Sequence, residues 1–110
     1  MITSPKWPEN GYIMEVPVIN SAHLSDASVA FLYEDGTKFF GICANYIPCG
    51  FIVMLHDVSI DSEPEELAAM PEDLRNIVLW LEENRYQWVR FDLDAGEIIE
   101  GFPLFEILPS

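Results

Sequence analysis

The segment that most constrains this chain runs from Pro71 to Ile99, where a helical period gives way directly to a strand period. Leu74, Ile77, Val78 and Leu81 recur at the spacing that lines one side of an α-helix, with Asp73, Glu82 and Glu83 away from that stripe. Pro71 opens it, as a proline can at a helix start, where its missing N–H costs nothing. Trp88-Val89-Arg90-Phe91-Asp92 then alternates, Asp94-Ala95-Gly96 can turn, and Glu97-Ile98-Ile99 can return, which predicts a β-hairpin. An apolar helical stripe must be buried against another element, so helix and sheet belong to one layered unit.

The upstream segments extend this pattern. Tyr12 to Asn20 is partly alternating and β-branched, but Pro17 cannot donate to a ladder and demotes it to an edge or a strand entry. Ser25 or Asp26 can cap a short helix over residues 26–34, stopped by Asp35-Gly36. Lys38 to Ala44 and Gly50 to Val58 are rich in Phe, Ile and Val and read as strands. The second is apolar on both faces and suits a central strand covered by helices on at least one side. Ser62 and Glu65 match the S-x-x-E capping box of another short helix running to about Ala69. The expected fold is α+β: a mostly antiparallel sheet with two or three helical segments packed on one face. Residues 1–11, with Pro5, Pro8, Asn10 and Gly11, form an extended arm, and residues 12–110 form a single domain.

Charge narrows the choice of partners. Nineteen Asp and Glu stand against five Lys and Arg, a formal charge of −14 over 110 residues. Counterion release cannot carry such a chain onto nucleic acid, and anionic membranes repel it. No apolar run approaches the ~18 residues that span a bilayer, so no membrane contact is expected. The acids concentrate at Asp61, Glu63, Glu65, Glu66, Glu72, Asp73, Glu82 and Glu83, with Arg75 alone among them. Such a face can steer a basic protein partner, although net charge also keeps a hydrophobic small domain soluble. Without a basic segment followed by an apolar stretch at the N-terminus, a cytoplasmic chain with Cys43 and Cys49 reduced is expected.

Few residues suggest chemistry. Cys43, Cys49, His23 and His56 would suffice numerically for zinc, but a five-residue gap inside strand-like sequence does not match the tight cysteine turns of structural sites. Ser21 and His23 would share one side of an extended segment, without the glycine-framed elbow of a serine nucleophile. Asp92-x-Asp94-x-Gly96 starts like a calcium loop, yet Glu97 and Pro103 occupy the positions that need glycine and a bidentate glutamate. No glycine-rich phosphate loop is present, so no metal or cofactor is expected. Among the aromatic residues of the last third, Trp80 lies outside the helical stripe and Trp88 shares a strand face with Arg90 and Asp92. Either tryptophan on the surface points to a partner anchor or a homodimer contact.

The ending Trp88-Val89-Arg90-Phe91-Asp92-Leu93-Asp94-Ala95-Gly96-Glu97, followed by Gly101-Phe102-Pro103-Leu104-Phe105-Glu106, resembles a family of small uncharacterised bacterial proteins. This domain of unknown function is often carried on plasmids and integrated mobile elements. Ser21-Ala22-His23-Leu24 and Cys49-Gly50-Phe51-Ile52-Val53 are two further landmarks, and together they span about residues 16 to 106. Ile107 stands where the family tends to place Trp after the final Glu. The resemblance implies a bacterial, cytoplasmic, accessory-gene setting, and no established activity for Ser21, His23, Arg90 or Asp92. The leading expectation is a non-enzymatic accessory or protein-interaction domain. The alternatives are an acidic DNA-mimic inhibitor of a nucleic-acid-binding defence or restriction complex, and a small enzyme using His23.

Overall fold

In a computed structural model of the chain, residues 4–11, 13–41, 43–45, 50–92 and 96–105 are described. In chain order, β1 (Val18–Asn20) passes through a 3-10 turn (Ser21–His23) into α1 (Asp26–Glu34) and α2 (Gly36–Phe40). The strands β2 (Cys43–Asn45) and β3 (Gly50–Met54) follow, then α3 (Val58–Asp61), α4 (Pro64–Ala69), α5 (Glu72–Glu83) and β4 (Trp88–Asp92). The sheet order is β1-β4-β3-β2. β4 pairs antiparallel with β3, and β3 with β2, while β1 lies parallel to β4. The fold is α+β, and its sheet is mostly but not purely antiparallel.

Alternation along the strands decides what lies inside. Val89 and Phe91 of β4 stand beside Val53 and Phe51 of β3, and Ile19 of β1 beside Phe91. All five belong to one buried cluster with Leu32 of α1, Phe40 of α2, Val58 of α3 and the whole Leu74, Ile77, Val78, Leu81 stripe of α5. The helices therefore lie on this face of the sheet. Burying each of these side chains stabilises by about 1.5–3 kcal/mol relative to exposure, which makes α5 the anchor of the helical layer. Among the described residues no helix is long and apolar enough to cross a membrane.

Several local expectations are corrected. The strand expected from Lys38 is helical as far as Phe40, and β2 begins only at Cys43. A continuous apolar run does not distinguish helix from strand, and here Phe39 and Phe40 stack edge-on and pack against the His56 ring. The strand expected over Gly50–Val58 stops at Met54, because Val58 already starts α3. Of the expected Tyr12–Asn20 segment, Tyr12 lies outside the described residues and, within 13–20, only Val18–Asn20 is strand, following the proline as a strand entry does. The box heading α4 is displaced by one residue: Glu63 N–H donates to Glu66 Oε1 at 3.1 Å, with Pro64 at the first helical position.

The hairpin expected after β4 does not form as drawn. Asp94 and Ala95 lie outside the described residues, and Glu97 pairs not with β4 but with β1, in parallel. Glu97 N–H donates to Val18 O at 2.8 Å, and Asn20 N–H to Glu97 O at 3.1 Å. β1 already occupies that edge of β4, so the chain must cross to the outer side of β1 to find free backbone groups. Gly96 makes the crossing: its φ is +102°, and a Cβ there would stand 2.7 Å from Asn20 N.

Candidate functional site

The four residues of the expected polar cluster divide between two places. Ser21 and His23 sit in the 3-10 turn rather than an extended segment, so they do not share the alternating face that the sequence suggests. His23 is 0% exposed. Its Nδ1 lies 2.9 Å from Pro103 O, and its Nε2 lies 2.9 Å from the N–H of Ile99. A carbonyl can only accept and an amide N–H can only donate, which assigns Nδ1–H as donor and Nε2 as acceptor. Both nitrogens are spent holding the segment from Gly96 to Phe105, and neither is left to take a proton from Ser21. Phe102 of that segment packs edge-on against His23 and Trp80, and Phe105 N–H donates to Ala22 O at 2.7 Å. Trp80 is accordingly half-buried in packing rather than displayed as an anchor.

Arg90 and Asp92 occupy the face of β4 turned away from the helices. Arg90 Nη2 donates to Asp92 Oδ2 at 2.6 Å, with 33% and 10% of the two side chains exposed. Alternate residues of one strand point the same way, and the short charge-assisted bond follows from that. Ser21 is 8% exposed, and its Oγ has no hydrogen-bond partner among the described residues. Of the other residues able to bind metal, Cys49 lies outside the described residues. The Cys43 thiol faces Leu32 O at 3.6 Å, and burial pushes its pKa up to about 11. His56 Nε2 donates to Phe39 O at 2.9 Å. No group of three metal-binding side chains converges among the described residues.

The acidic face is built by α3, α4 and α5. Asp61, Glu63, Glu65, Glu66, Glu72 and Glu83 are exposed on it. Asp73 and Glu82 turn inward instead to the starts of other helices, Asp73 holding the N-cap Ser25 of α1 and Glu82 capping α3. Asp73 accepts from Ser25 N–H at 2.8 Å, Ser25 Oγ at 3.0 Å and Ser28 Oγ at 2.6 Å, at the start of α1. Glu82 accepts from the N–H of Val58 and, at 3.3 Å, from that of Ser59, at the start of α3. Carboxylates favour this location because helix amides point outward there. Desolvation nonetheless pushes the Glu82 carboxyl above the usual range, against the pull of those two amides. The same layer also carries exposed Asp26, Glu34 and Asp35 of α1 and its end, which sequence order had separated from the main acidic run.

The face of the sheet opposite the helices carries apolar residues beside Arg90 and Asp92. Val18, Ile52, Met54 and Trp88 alternate with the core residues and are half-buried, and none joins the core cluster. The signal for this was the double-sided apolar run of β3, read only as a mark of a central strand.

A family model matches residues 16–107, from just before β1 through the segment that His23 holds. The chain belongs to DUF5983, a family of unknown function, through the C-terminal domain of that family. Neither the comparison with curated proteins nor that with solved structures gives a match. The DUF5983 match takes in every strand and helix described above, together with His23, Arg90 and Asp92. The exposed segment from Ser4 to Asn10 lies outside it.

Proposed function

We propose that this DUF5983 domain is a non-enzymatic protein-interaction module of the accessory type carried on bacterial mobile elements, and that it receives a basic protein on its acidic helical layer. One observation carries the reading: exposed carboxylates are concentrated on the helices while the cations there are few or occupied. Arg75 Nη1 is bound to the carbonyls of Leu67 at 3.1 Å and Met70 at 3.5 Å. Arg90 is on the opposite side of the sheet with Asp92. Lys38 and Arg85 are left against Asp26, Glu34, Asp35, Asp61, Glu63, Glu65, Glu66, Glu72 and Glu83. A like-signed layer of this kind speeds encounter with a positive surface and rejects nucleic acid. The catalytic alternative loses its base, since the hydrogen bonds of His23 leave no free ring nitrogen.

A narrower version of the same reading is a DNA mimic that blocks a nucleic-acid-binding defence or restriction complex. The concentration of exposed carboxylates on the helices supports it, although Glu9, Glu15, Glu97 and Glu100 are exposed away from that layer. The test is capture of proteins from a bacterial lysate on immobilised full-length chain, at about 50 mM and about 500 mM salt, where the Debye length shrinks from about 14 Å to about 4 Å. A basic protein should be retained at low salt and released at high salt. It should be retained at least tenfold less by a D61N/E65Q/E72Q/E83Q variant, and in the mimic case displaced by duplex DNA. Retention indifferent to salt and to the four substitutions would overturn the reading.

A further inference from the structure

Among the described residues no helix packs on the second face of the sheet, which carries the half-buried apolar residues Val18, Ile52, Met54 and Trp88 beside Asn20, Arg90 and Asp92. Across it the pairing sets Val18 and Ile52 on either side of Arg90, with Met54 beside Trp88. An antiparallel sheet with one solvated face ordinarily places polar residues there. Here the cross-strand neighbours of Arg90 are the apolar Val18 and Ile52, and the described helices bury their core side chains on the other face. Among the described residues the charged side chains of this strip are Arg90 and Asp92, which pair with each other.

That charge distribution selects the occupant. A basic partner is drawn to the carboxylates of the helical layer and finds none uncompensated among the described residues of this strip. Nucleic acid and anionic membrane are repelled by the chain as a whole. Two copies of a chain of charge −14 also repel, and most strongly through their helical layers. Sheet against sheet, the neutral strips meet and the two acidic layers point in opposite directions, as far apart as the fold permits. Sheets stack in this way about 10 Å apart, and a two-fold axis makes a single patch serve both sides. We infer that this face is the contact between two copies of the chain, in a sheet-on-sheet dimer that displays an acidic layer on each outer side. Trp88 supplies the large anchoring side chain.

Sedimentation velocity on the full chain from about 1 μM to about 1 mM, at low and at high salt, tests this with a distinctive sign. Dimer should accumulate with concentration, and salt should strengthen it by screening the repulsion, whereas salt weakens capture of a basic protein. The two readings therefore fail separately. Ile52→Asp should shift the midpoint at least tenfold toward monomer. Should that variant fail to fold, the unmodified chain decides by NMR: the Met54 methyl signal should move with concentration while that of buried Met70 stays fixed. A monomer at every concentration and salt, or a dimer whose shifts fall on the exposed Ile60 or Ile98 and spare Met54, overturns the inference.

Discussion

Asp73, in the first turn of α5, holds Ser25, the N-cap of α1: it accepts both the N–H and the hydroxyl of Ser25, at 2.8 and 3.0 Å. It also accepts the hydroxyl of Ser28, which is fully buried. The start of one helix is thus fastened to the start of another 48 residues away. Removing the carboxylate orphans the Ser25 amide and leaves the buried Ser28 hydroxyl only its longer 3.3 Å contact with Ser25 Oγ. Asp73→Ala is expected to lower stability by about 2–3 kcal/mol, and Asp73→Asn, which keeps one acceptor oxygen, by about 1 kcal/mol. Exposed Glu72 next to it serves as the control, with Glu72→Gln within about 0.5 kcal/mol. Urea unfolding of the three variants measures the differences.

Glu82 yields a prediction that depends on pH. Its carboxyl titrates above the ordinary glutamate value of about 4.3, chiefly through desolvation, so the folded chain keeps the proton to higher pH than the unfolded chain. Stability therefore falls as pH rises from the unfolded value through the raised folded one, and the cost is complete at neutral pH. Glu82→Gln retains an oxygen for the α3 amides and removes the charge. It should match or exceed the parent in stability near pH 7.5, with the difference shrinking as pH falls below the range in which the parent's Glu82 ionises. Glu82→Ala leaves the Val58 N–H unsatisfied and should cost about 1 kcal/mol at both ends of the range. Denaturant unfolding at several pH values checks both.

These two carboxylates mark the limit of what the sequence discloses. The stripe Leu74, Ile77, Val78, Leu81 specified α5 because helical periodicity is a local signal, and Ser25 specified the start of α1 for the same reason. The polarity of Asp73 and Glu82 was equally visible, but not their direction, since their partners Ser25 and Val58 come from other elements. The path of Glu97 was hidden in the same way. Turn chemistry favours a return along β4, and only the parallel arrival of β1 at that edge diverts the chain. Phe39 and Phe40 could serve helix or strand, and packing on His56 decided for helix.

His23 was legible as a residue worth weighing and not as the fastening it is. With its ring wholly buried between Ile99 N–H and Pro103 O, the Nδ1–H form is the one that satisfies both partners. Long-range ¹H–¹⁵N correlation spectra near neutral pH should show that tautomer. His23→Leu should cost about 2–4 kcal/mol, because two buried backbone groups lose their partners. Hydrogen exchange should accelerate at Ile99, Glu97 and Phe105 first, since those amides belong to the segment the ring holds. Unchanged exchange there would show that the Phe102–Trp80 contact and the Glu97 pairing hold the segment without the ring.

Arg85 is the last residue for which backbone and side chain make separable predictions. It closes α5 with φ +66°, the left-handed region, while its N–H donates to Glu82 O at 2.8 Å and the N–H of Tyr86 to Leu81 O at 3.1 Å. That pair of bonds is the Schellman ending, whose left-handed position favours glycine because a Cβ there crowds the neighbouring backbone. Arg85→Gly should therefore raise stability by about 1 kcal/mol, or a melting temperature by roughly 4–8 °C for a chain of this size. Arg85→Ala keeps the Cβ and loses only the guanidinium, so it should leave stability within about 0.5 kcal/mol of the parent. A glycine variant no more stable than the alanine variant would mean that the turn carries no cost there. A loss in both would mean that the guanidinium itself stabilises the fold, and would remove Arg85 from the cations left on the helical layer.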